Sequence, residues 1–106
     1  MRWKKYFTPP FTDTGVYIND ALGRRIAHWA IDFQSSQQWI DKMNGVSMTK
    51  AKFPIVYHDG KIGLIAPNGR FVPVMVMRCS GYLPDGPESV YIQDEFAEHI
   101  VEQLNK

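Results

Sequence analysis

Tight-turn signals constrain this chain more than any other feature. Ala66-Pro67-Asn68-Gly69-Arg70 separates two apolar runs, Lys61-Ile62-Gly63-Leu64-Ile65 and Phe71 to Met77. Asn-Gly between apolar runs is a strong hairpin signal, because both residues tolerate the positive φ that a tight turn needs. Asp59-Gly60 sets a second hairpin between Phe53–Tyr57 and Ile62–Ile65. Asp20-Ala21-Leu22-Gly23-Arg24 sets a third, after the alternating Val16-Tyr17-Ile18-Asn19 and before a strand from Arg24 to Ile31. Short strands at this spacing predict an antiparallel sheet.

Two segments have helical character. Ser35 followed by Gln38 fits a capping box, Trp39, Ile40 and Met43 share one face, and Gly45 fits the stop. The second helix is predicted from an Asp94 cap to about Asn105, with Phe96, Ala97, Ile100, Val101 and Leu104 as its buried stripe. Glu88 to Ile92 reads as one more short strand. Residues 45–52 read as a connector and 80–87 as a loop.

The turns repeat. Asp20–Arg24 echoes Ala66–Arg70, and Trp39–Asn44 echoes Ile100–Asn105. The chain therefore divides into an aromatic arm at 1–13, a first ββα-like half at 15–45 and a second half at 53–106. The expected fold is a single α+β domain over 1–106, with an antiparallel sheet of about five to six strands and two helices. A strongly bent sheet or a small barrel is the alternative. Pro73 predicts an edge position or a bulge for the strand at 70–79. That strand is apolar on both faces, which predicts a homodimer through it.

Gly15-Val16-Tyr17-Ile18-Asn19-Asp20 through Gly23-Arg24-Arg25-Ile26-Ala27, followed by a helix ending in Met43-Asn44, resembles a pattern in small accessory proteins of tailed bacteriophages. The resemblance covers the first half only. It implies a phage-encoded protein acting in a bacterial cytoplasm, in a class that often inhibits or sequesters.

Composition removes several functions. Twelve Lys and Arg against eleven Asp and Glu give a net charge of +1. That balance argues against a DNA-mimicking acidic protein and against a chain built mainly for duplex nucleic acid. One cysteine, Cys79, excludes an internal disulfide and reads as a buried inert thiol. No run approaches the roughly 20 apolar residues of a membrane span. With no disulfide framework and no export signal, a reducing cytosol is expected.

Phosphate-loop, dinucleotide and zinc spacings are missing from the sequence. No catalytic residue, metal or cofactor is therefore assigned, and the protein is read as non-enzymatic. The candidate binding residues are Trp3, Tyr6 and Phe7 in the arm, the turn arginines Arg24 and Arg70, Arg78, and Tyr82 in the 80–87 loop. Trp3, Tyr6 and Phe7 read either as aromatics laid over the core or as a contact surface beside Arg2, Lys4 and Lys5. Arg24 and Arg70 read either as solvated side chains or as a symmetric pair that holds an anion. The leading functional expectation is inhibition of a bacterial protein by direct contact. The alternatives are sequestration of a small nucleotide or signalling molecule, and single-strand nucleic-acid binding through the N-terminal arm.

Overall fold

The computed structural model describes residues 1–47 and 49–106. Its six strands are β1 (Thr12–Asp13), β2 (Tyr17–Asn19), β3 (Arg25–Trp29), β4 (Ile55–His58), β5 (Lys61–Ile65) and β6 (Phe71–Met77). Helix α1 spans Ser36–Met43 and α2 spans Pro87–Leu104, with short 3-10 helices at Arg2–Lys5 and Ser80–Tyr82. All strand pairs are antiparallel, in the order β1-β2-β3-β6-β5-β4. This is the α+β class that the turn pattern predicts.

Each half contributes three strands and a helix, one strand more than the ββα reading. In the first half the added strand is β1, only two residues long, which lies in the arm and forms an edge of the sheet. Two matching asparagines tie the end of each helix to the start of its own half, at Phe11 just before β1 and at Ile55 in β4. Asn44, after α1, accepts from the Phe11 backbone N–H (2.7 Å) and donates to its carbonyl (2.8 Å). Asn105, after α2, does the same to Ile55, at 3.0 and 2.7 Å. An amide side chain carries one acceptor and two donors, so it can close both backbone groups of a single residue.

The positive φ values at Gly23 (79°) and Gly69 (84°) place both predicted turns. A bulge follows each of them. Between the Ile18–Ala27 and Asn19–Arg25 pairs, β3 carries one extra residue, Ile26. Between the Ile62–Met75 and Gly63–Pro73 pairs, β6 carries Val74. A bulge turns two consecutive side chains toward one side. Ile26 with Ala27, and Val74 with Met75, are accordingly all at 0% exposure. This is why strict alternation misassigns β6: Phe71 and Val76 face one side while Val74, Met75 and Met77 enter the core.

Of the two settings that Pro73 predicts, the bulge is observed, beside it at Val74, and the edge position is not. Residues 75–77 pair with β3, and β5 runs along the other side of β6, so β6 lies in the middle of the sheet. Pro73 is accommodated where β6 pairs with β5 alone, beyond the end of β3. The backbone of the central part of β6 is therefore not free to pair with a second copy.

The strand expected at Glu88–Ile92 is also corrected, because these residues form the first turns of α2. Pro87 opens the helix at a position where its missing N–H is tolerated. Ile92, Phe96, Ile100 and Leu104 then recur every four residues along its buried side. Asp94 is inside the helix rather than at its cap, and Ser35 makes no side-chain cap bond to α1.

Both helices cover one face of the sheet. Trp29 packs on Trp39 of α1 (6.4 Å between rings), and the Tyr57 hydroxyl donates to Asp94 of α2 at 2.8 Å. The arm completes this layer. Phe96 is stacked by Trp3 at 4.6 Å and by Phe7 at 5.2 Å, with Phe11 tilted against it at 5.7 Å. Rings that stack with offset add to the large area each one buries.

Candidate functional site

Sheet register assembles the site. Partners across an antiparallel ladder point to the same face, so Tyr17, His28, Val76, Lys61 and His58 form one row over β2, β3, β6, β5 and β4. The adjacent row, Trp29, Met75, Ile62 and Tyr57, lies under the helices. The first row therefore occupies the opposite face, and all its members are half-buried or exposed. At about 4.8 Å per strand the row spans roughly 19 Å.

Cations gather on this face. The Arg25 guanidinium lies 3.4 Å from the Tyr17 ring centroid, a stacked cation–π contact. Arg78 Nε approaches His28 Nδ1 at 3.4 Å. Burial holds the His28 imidazole below its ordinary value, and the charges of Arg78 and Arg25 add to the effect. His28 is therefore a neutral acceptor beside two permanent cations at neutral pH. Lys61 has only a distant carboxylate, Asp59 at 3.9 Å, which is itself 83% exposed.

Phe71 extends the surface. It lies edge-on to His58 at 5.7 Å and covers Gly63, where a Cβ would fall 2.9 Å from its ring. The glycine makes room for the aromatic. Helix α2, on the other side of the sheet, carries Glu88, Asp94, Glu95, Glu98 and Glu102 and no Lys or Arg.

The residues singled out from sequence separate into different roles. Trp3 and Phe7 are 2% and 1% exposed and belong to the core, and Tyr6 is half-buried against it. The core alternative for the arm is the one observed. Arg24 holds Asp20, through Nε at 2.9 Å and its terminal nitrogen at 2.7 Å. Arg70 is exposed at the β5–β6 turn, where its N–H donates to Asn68. Because β3 and β6 run antiparallel, the turns that precede them lie at opposite ends of the sheet. Arg24 and Arg70 therefore do not form one anion site. Tyr82 is 46% exposed and edge-on to Phe7. Arg78 alone joins the open-face cluster.

Tyr17, Lys61 and Phe71 were not singled out from sequence. Their only signal is cross-strand register, which links residues far apart in the chain. Cys79 is fully buried, and desolvation pushes its thiol up to about 12, which leaves it a poor nucleophile. Among the described residues, no group of three His, Cys, Asp or Glu side chains is placed to hold a metal ion. No helix among them is long and apolar enough to cross a membrane. No known protein family, curated protein or solved structure matches the chain.

Proposed function

We propose that this chain is a binding protein whose open sheet face holds a short run of single-stranded nucleic acid. The Tyr17–His28–Val76–Lys61–His58 row, flanked by Arg25, Arg78 and Phe71, carries this reading. Aromatic faces accept any base by stacking, and nearby cations neutralise the backbone. The Arg25 plane over Tyr17 offers a base a stacking surface of its own. The resemblance to phage accessory proteins would place such a module in a bacterial host cytoplasm.

The test is fluorescence anisotropy with labelled oligothymidylate and oligouridylate of about 15 nucleotides. Neutralising three phosphates gives a slope of log affinity against log salt near −2, and Lys61→Ala or Arg78→Ala should each reduce it by about 0.7. Absence of binding at low salt, or binding that salt does not weaken, refutes the reading.

A second reading keeps inhibition of a bacterial protein by direct contact. It is favoured by Val90 and Tyr91, 60% and 71% exposed on α2, beside a shallow recess that they line with Pro87 and Asp94. Exposed apolar groups in one patch mark protein contacts. If this reading holds, Val90→Asp abolishes retention of a host protein from bacterial lysate while Lys61→Ala does not. Equal retention by both variants removes it.

A further inference from the structure

A cavity of about 430 Å³ lies on the helix side, away from the open sheet face. Trp39, Ile55 and Leu104 form its buried parts, Phe33 and Leu64 its half-buried walls, and Phe53 an exposed part of its mouth. Phe33 meets Trp39 edge-on at 5.1 Å, which fixes two aromatic walls at a steep angle. The size is that of a small-molecule site.

The charged groups in this cavity are all of one sign. Lys42, Lys50 and Lys52 line it, and among the described residues no Asp or Glu does. Lys50 and Lys52 are exposed, whereas Lys42 is 6% exposed. Lys42 Nζ donates to the main-chain oxygens of Leu104 (2.6 Å), the last residue of α2, and Lys106 (3.0 Å). An ammonium has three donors, and those two bonds use two of them. No Asp or Glu side chain among the described residues pairs with it. Lys50 and Lys52 at the mouth and Lys42 behind them give the cavity a positive lining, and an anion is the charge that complements it.

We propose that this cavity binds a small amphipathic anion, with an aromatic or acyl body among Phe33, Trp39 and Phe53 and a carboxylate, sulfonate or phosphate toward the lysines. A neutral apolar molecule would satisfy the walls but not the charge. A polyanion such as a nucleic acid strand would leave the apolar walls unfilled. The site is independent of the open sheet face, and neither requires the other.

Anilinonaphthalene sulfonate is the probe, and phenylnaphthylamine, the same rings without the sulfonate, is the comparison. Saturable binding of one sulfonate dye per folded chain is expected, with energy transfer from tryptophan. The uncharged compound should bind roughly tenfold more weakly or worse, the worth of one charge-assisted contact. The double variant Lys50→Ala/Lys52→Ala, both exposed positions, should weaken the sulfonate roughly two- to thirtyfold without changing thermal stability. Phe53→Ala should weaken both compounds, and Lys61→Ala, on the open face, should weaken neither. Equal affinity for the two compounds, unsaturable binding, or full affinity in the double-lysine variant overturns the proposal.

Discussion

Asp20 is 2% exposed, and its carboxylate joins the arm to the β2–β3 turn. One oxygen accepts from the N–H groups of Leu22 (3.1 Å) and Arg24 (2.8 Å). The other accepts from Thr8 N–H (2.9 Å) and the Arg24 side chain. Burial raises the carboxyl, but the Arg24 side-chain bond, the backbone bonds and the Arg24 charge outweigh it and hold it below 3.8. Asp20→Ala removes every acceptor at once. Each charge-assisted bond is worth about 1.5–3 kcal/mol, but water can reach the turn and Arg24 is 27% exposed, so the terms do not sum. A loss of about 3 kcal/mol is expected, on the order of 10–20 °C in Tm. Arg24→Ala leaves three backbone donors in place and should cost only about 1 kcal/mol. Asp20→Asn keeps one acceptor for the turn but sets an NH2 against Thr8 N–H and the guanidinium, so it should fall within about 1 kcal/mol of Asp20→Ala. Urea unfolding followed by tryptophan fluorescence measures all three, with an unchanged m-value as the check on two-state behaviour. If Asp20→Ala costs no more than Arg24→Ala, the carboxylate is an ordinary surface ion pair and the reasoning fails.

Three further outcomes are expected. Asn105→Ala should cost about 1–3 kcal/mol by urea unfolding, since both Ile55 backbone groups lose their partner, and Asn105→Asp, which keeps only the acceptor, should lie between it and the native chain. Gly63→Ala places a Cβ 2.1 Å from the Val72 carbonyl oxygen, a backbone atom that cannot step aside, so a loss of about 2 kcal/mol or more is expected, read as a fall in Tm. Burial lowers His99 from 6.5, with opposing help from Glu102 and further lowering by Lys4 and Lys106, and His28 is lowered as well. A lowered histidine contributes stability above pH 6.5 that is lost as pH falls through its native value, so stability should decline from pH 7 to 5, less steeply in His99→Gln.

The turns were legible because their residues carry the reason locally: Gly23, Gly60 and Gly69 all adopt positive φ. Helix α1 was legible from Trp39, Ile40 and Met43, whose spacing needs no partner to be recognised. Val90-Tyr91-Ile92 misled, because β-branched and aromatic residues favour strands until a Pro at the first helical position and a four-residue apolar spacing override them. The bulges at Ile26 and Val74 were hidden, since an extra residue shows only against a partner strand. The open face was hidden for the same reason. His28 and Lys61 are 33 positions apart in sequence and share a row only through Val76.

The seam between β3 and β6 also sets an order of events in time. Each half can close its own hairpins through tight turns, on the microsecond scale of local pairing. Joining Ala27 to Met77 closes a loop of roughly 50 residues, whose entropy is lost before the contact repays it. Until then Ile26, Ala27 and Trp29 belong to a strand with one bare edge. As the chain emerges during synthesis, that edge stays open until Met75–Met77 arrive. Folding rate should therefore depend on the residues at this seam, and hairpin substitutions should act mainly on unfolding.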